Sequence, residues 1–227
     1  MIVRDQYGII CQHNRDYPDY LDQGDSAART GLMAMCESPQ DLHNITEFLT
    51  FGKDGLKLVR HPHQLKWNDS ALTSRDQLIQ WAAGTRGAEL ACYWIARTYA
   101  TSWFINKDFL APDVRLYLYK CAEGCGPWEA STHHPYVSNK APFYIKLLGY
   151  PLMFLSILWS CYATPNEEQN KMIAMCSIYG RNWLRLLVRL HPSIVNNLNT
   201  YWGGHPWRDQ PEIAEALINY INKELLK

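Results

Sequence analysis

Leu147–Ala163, LLGYPLMFLSILWSCYA, is the stretch on which the fold turns. No other run is apolar enough to suggest a membrane span, and its 17 residues lie at the lower edge of the length a span needs. Gly149 and Pro151 interrupt it, and Pro151 suits the first turn of a helix running on to Ala163. What remains is short for a span and apolar all round, which predicts a buried central helix in a soluble protein.

Working outward, Thr164-Pro165 caps a long helix ending near Leu190. Ser193–Leu198 reads as one more turn, and Pro211–Leu226 as an amphipathic C-terminal helix. On the other side, Pro112 opens a helix to about Cys121. Ser74-Arg75-Asp76-Gln77 has the form of a capping box before an apolar run to Ala83. Gly84 and Gly87 break that run before a further helix over Ala88–Tyr99. Apolar spacing predicts helices over Asp25–Cys36 and, with Ser38 as cap, Pro39–Leu49. Gly52–Gly55 is a turn and Leu56–Arg60 is short enough to be extended. Residues 1–24 form an irregular N-terminal arm, and residues 122–142 and 199–210 are long loops of the kind that carry function. The expectation is therefore an all-α fold of about eight helices in a single globular domain, residues 1–227, whose helical hairpins the likeness named below makes toroid-like.

Composition narrows the function. A chain of 227 residues can bury a core without staples. Lys+Arg and Asp+Glu are both 22, so no electrostatic case exists for nucleic acid or an anionic membrane. Seven cysteines, several in helical apolar contexts such as Ala91-Cys92-Tyr93-Trp94, read as small buried hydrophobes. With no signal pattern in MIVRDQYG, a reducing, cytoplasmic setting is expected, in a cell or a virus growing inside one. There is no P-loop, no dinucleotide fingerprint, no H-E-x-x-H and no nucleophile elbow.

Four constellations carry chemistry. Asp22 and Asp25 precede Arg29, and Asp25 and Arg29 are four apart on one helix face that continues as Leu32 and Cys36. That places an ion pair at the rim of the core; as a plain structural alternative, Asp25 caps the helix. His61-Pro-His63 and Trp67-Asn68-Asp69 lead into Arg75 and Asp76, whose Arg75 stands at a helix end that disfavours cations and so calls for an anionic partner. Cys121 and Cys125, followed by His133-His134, are zinc-ligand types, but their spacing fits no zinc template, so neither metal nor cofactor is expected. His133, His134 and Tyr136 read better as acid–base or substrate-contact groups. Trp202, His205 and Trp207 flank two glycines in an aromatic loop suited to a sugar-like or planar ligand, or to plugging one end of a bundle.

The strings DQGDSAARTGLMAM and RHPHQLKWNDSALTSRDQL resemble a set of uncharacterised phage and bacterial proteins carrying a GDSxxRTG element, W-x-D and SRDQL. The resemblance covers about the first 80 residues and implies no activity. An acidic helix start followed by aromatic loops is also similar to α/α-toroid carbohydrate-active enzymes. Two readings follow. In one, Asp22, Asp25, Asp69 or Asp76 supply the carboxylates for a glycan hydrolase or lyase, with His133 or His134 as alternative base. Arg29, Arg75, His63, Trp67, Tyr136, Trp202, His205 and Trp207 then hold the substrate. In the other, the chain is a non-catalytic binding or accessory protein engaging a host or virion component, and the polar motifs form a closed, mutually bonded cluster with an apolar patch elsewhere on the surface.

Overall fold

Glycine in mid-helix costs stability unless something must come close to it, and Gly31 is such a case. In the computed structural model, which describes residues 2–13, 19–52, 55–63, 75–85, 92, 104–105, 108–109, 112–122, 141–162, 167–201 and 211–226, α1 spans Ser26–Met35. It crosses the helix α3 (Arg75–Ala83) so closely that a Cβ on Gly31 would overlap the Gln80 carbonyl oxygen and the Trp81 Cα. Gly84, just beyond α3, is seated in the same way against the Gly31 carbonyl and Ala34. Two helix backbones thus touch with no side chain between them. Around the contact pack Leu32, Met35, Leu78, Ile79 and the fully buried Trp81, whose indole N–H donates 2.8 Å to the Ile45 carbonyl.

The remaining elements surround this pair. α2 (Pro39–Asn44) continues into a 3-10 turn, Ile45–Phe48. α4 (Pro112–Ala122) is tied to α3 by the Tyr117 hydroxyl, which donates 2.7 Å to the Ile79 carbonyl. α5 (Phe143–Tyr162) lies on α4, and α6 (Glu167–Tyr179) packs against α3 and α4. α7 (Arg181–Leu190), α8 (Ile194–Tyr201) and α9 (Pro211–Leu226) complete the helices among the described residues. Helix dominates, as the all-α reading expected.

Short antiparallel pairs join them: β1 (Gln12–His13) with β2 (Leu21–Asp22), β3 (Leu49–Gly52) with β4 (Gly55–Leu58), and β5 (Phe104–Ile105) with β6 (Asp108–Phe109). The described residues of the segment read as an irregular arm are short of regular structure but not peripheral. Ile9, Ile10 and Cys11 are fully buried, and Arg4 grips Asp41 of α2 through two bonds of 2.9 Å. The long helix expected from Thr164 to Leu190 is two helices. Gly180, with φ +97°, turns the chain into a region that side chains disfavour and starts α7 afresh.

α5 departs most from expectation. Gly149 sits on α4, where a Cβ would press on the Pro112 carbonyl and Leu116, and Ser156 donates 3.3 Å to the buried Asp113. Ile145, Met153 and Ile157 are buried on that side. The opposite side is open: Phe143, Leu147, Leu148, Phe154, Leu155 and Trp159 are all exposed. The helix is therefore half-buried, with an apolar outer face. Among the described residues, no helix is long and apolar enough to cross a membrane.

Gly31→Ala tests the central contact. Alanine improves helix propensity by about 1 kcal/mol, but the new methyl meets backbone that cannot move aside. We expect a net loss of about 3 kcal/mol, at the upper end of overpacking costs, read by urea denaturation. A stability equal to wild type would refute the close crossing.

Candidate functional site

The N-terminal ends of α1 and α3 lie together, and the polar groups of the first constellation close into a ring there. Asp25 stands at the N-cap of α1, yet its side chain makes no capping bond. Its Oδ2 accepts from Arg29 at 3.3 Å, and its Oδ1 accepts from the Gln77 amide at 3.1 Å. The same Gln77 nitrogen donates 2.6 Å to the Gly24 carbonyl. The Gly24 N–H donates 2.9 Å to Asp22 Oδ1, and Asp22 Oδ2 accepts from the Gln12 amide at 3.0 Å. The Gln12 carbonyl oxygen accepts from Arg29, which closes the circuit.

Each link has a local cause. The i,i+4 spacing on α1 brings Asp25 to Arg29. An Asx turn binds Asp22 to Gly24. The β1–β2 pairing sets Gln12 opposite Asp22. Gln77 had the sequence form of a capping-box residue, but its amide is turned to the other helix. The start of α1 is met by main chain as well, since the Arg60 carbonyl accepts from the Ala27 N–H.

The ring is mostly sealed. Arg29, Ser26 and Thr30 are fully buried and Gln77 nearly so, whereas the Asp25 side chain keeps 30% of its surface in solvent. Ser26 Oγ, Thr30 Oγ1 and Gln77 Oε1 are buried without a hydrogen-bond partner among the described residues. Cys11, close by, has its thiol pushed up to about 11 by burial and then by the Asp5 carboxylate, so it stays protonated and unreactive at neutral pH.

Beside the ring lies a buried imidazole. His61 Nε2 is 2.7 Å from Asp5 Oδ2, and the His63 backbone N–H donates 3.2 Å to His61 Nδ1. A neutral ring with its proton on Nε2 satisfies both contacts. Burial lowers the His61 pKa from 6.5, against the pull of Asp5. His63 turns outward, stacks on Tyr7 with ring centroids 4.0 Å apart, and pairs with Glu47 at 3.1 Å.

The predicted residues thus divide. Asp22, Asp25 and Arg29 come together, and His63 stands a little apart. Arg75 and Asp76 open α3; their side chains, and Trp67, Asp69, His133, His134, Tyr136, Trp202, His205 and Trp207, lie outside the described residues. Gln12 and Gln77 are the members the sequence reading missed. Gln77 was visible only as a cap, and no local signal marks Gln12. Among the described residues no group of three or more His, Cys, Asp or Glu is placed to hold a metal ion. Comparison with family models, curated proteins and solved structures finds no match to this chain.

The His61 geometry fixes a pH dependence. Its folded pKa lies below the unfolded value of 6.5, so the unfolded chain binds more protons between the two. His61 therefore contributes stability that is full above pH 6.5 and is lost as pH falls through the folded pKa. Urea midpoints measured from pH 8 to pH 5 should drop below pH 6.5 in the wild type, and His61→Gln should flatten that part of the curve. An unchanged slope in the variant would contradict the assignment.

Proposed function

We propose that this chain is a non-catalytic binding protein whose polar ring frames the fold and whose working surface is the outer face of α5. The observation that carries the reading is the row of large apolar side chains in solvent along α5, from Phe143 to Trp159. Monomers rarely leave contiguous apolar patches beyond about 300–600 Å² uncovered, and larger ones mark interaction sites. The ring supports it from the other side: both carboxylates accept hydrogen bonds on both oxygens, and Arg29 is shut away from solvent. Groups so engaged hold two helix ends in register. The phage-like resemblance of the first 80 residues suits an accessory protein engaging a host or virion component.

A second reading rests on one observation, the part of the Asp25 carboxylate that stays open to water beside Arg29. On it, Asp25 with Asp76 would serve a glycan hydrolase or lyase.

Paired substitutions separate them. On dilute protein, Leu155→Glu should leave the unfolding free energy within about 0.5 kcal/mol of wild type, as for any exposed site. Asp25→Ala should cost about 3 kcal/mol, from a charge-assisted bond to Arg29 and a bond to Gln77. Leu155→Glu unfolding the chain would show that its own residues cover the face. Release of reducing ends from a glycan panel, abolished by Asp25→Asn, would favour the enzyme instead.

A further inference from the structure

We propose that the outer face of α5 is covered by a second copy of this chain, in an antiparallel pair whose two-fold axis passes beside Pro151. This rests on the binding reading above and names its partner.

The first argument is symmetry. A two-fold interface is made by one patch meeting itself, so a residue at a given distance before the axis must suit the residue at the same distance after it. The exposed residues of α5 obey that rule in pairs about Pro151, itself exposed, with Tyr144 as the exception because its counterpart Leu158 is half-buried. Phe143 answers Trp159, Leu147 answers Leu155, and Leu148 answers Phe154, each member exposed and each large and apolar. The inner face follows the same centre, with Ile145 and Ile157 both buried against the protein. The ends carry the aromatics, Phe143 at 78% exposure and Trp159 at 69%, and Trp is the residue most given to anchoring an interface.

Area is the second argument. Taking roughly 150–250 Å² for a fully exposed aromatic side chain and less for leucine, the exposed side chains from Phe143 to Trp159, with Tyr144, Tyr150 and Leu152 included, present on the order of 900 Å² of largely apolar surface. A stable pairing buries about 800 Å² on each partner. The helix is 20 residues, about 30 Å, long enough for several turns of contact.

The third is charge. α5 holds one ionisable cation, Lys146, which is half-buried, and no Asp or Glu. A helix that docks on lipid carries a rim of Lys and Arg to meet the head groups, and this face has none. The chain's formal net charge is zero, so two copies approach without long-range repulsion.

The test is the mass of the full-length chain in solution. Sedimentation equilibrium should give twice the 26.3 kDa chain mass at micromolar concentration. In the antiparallel pair Leu147 faces Leu155 of the other copy. Leu147→Glu alone and Leu155→Lys alone should each weaken association by at least roughly 100-fold, as expected for a central contact. The double variant, or an equimolar mixture of the two single variants, should recover the two-chain mass, because glutamate then meets lysine. Two parallel helices would set residue 147 against residue 147, and recovery would fail.

A wild type that stays at one chain mass overturns the pairing, as does loss of association without recovery in the mixture. Wild type that is monomeric yet floats with phosphatidylcholine–phosphatidylglycerol vesicles would make lipid the occupant and overturn it too. These failures leave the binding reading standing if dilute Leu155→Glu keeps wild-type stability. Dilution matters, because association itself stabilises the folded chain. If dilute Leu155→Glu unfolds, both fall.

Discussion

Everything in the N-terminal half follows from two helix backbones meeting at Gly31. Side chains normally hold helices 8–10 Å apart; here Gln80 and Trp81 present main chain to a residue with no Cβ. The approach fixes the axial offset of α1 on α3, since only one residue of α1 can occupy the crossing. That offset puts the first turns of the two helices side by side. Gln77, three residues before Gln80, then reaches Gly24 and Asp25 without adjustment. Moving the crossing by one residue would rotate α1 by about 100° and take Asp25 away from Gln77.

Polar bonds do an unusual share of the joining in this half. Arg4 with Asp41, Asp5 with His61, and the six-membered ring are all wholly or largely removed from water. Burying such groups is rarely the most stabilising option, because desolvation offsets most of the attraction. What it gives is intolerance of near misses. A shifted β1–β2 register or a slipped α1 would leave a buried charge without its partner, at far greater cost than a misplaced methyl group. Among the described residues of the first 24 there is little regular structure, and these bonds supply the definition that helices and sheets supply elsewhere.

Helices were legible where their limits are local chemistry. Pro211 and Pro112 start helices at the residues expected, and α1 runs from Ser26 to Met35, inside the predicted span. The break at Gly180 was not legible, because a glycine between two apolar runs reads as well inside a helix as between two; only its positive φ distinguishes them. The β3–β4 hairpin was half seen, as a turn and a short extended strand. For the site, spacing gave Asp25 with Arg29, since four residues on a helix is a distance. Gln12 could not be found that way. Its bonds to Asp22 and Arg29 depend on a hairpin and on a helix seventeen positions away, and amide side chains advertise nothing about their partners.

The misreading of α5 has a physical cause that bears on the whole molecule. Hydropathy records what a helix is made of, not how much of the protein surrounds it, and an all-round apolar helix is expected inside. α5 is apolar on nearly every side, Lys146 apart, and yet among the described residues its packing lies on one face, where Gly149 and Ser156 seat it on α4. Meanwhile Arg29, Asp41, Asp113 and Arg115 lie inside. The usual segregation is thus reversed in two places: ions are enclosed where geometry must be exact in register, and hydrocarbon faces outward along one helix. A composition-based argument averages over these two departures, which cancel in the mean. They do not cancel on the surface, where the outer face of α5 holds the longest run of large apolar side chains left in solvent among the described residues.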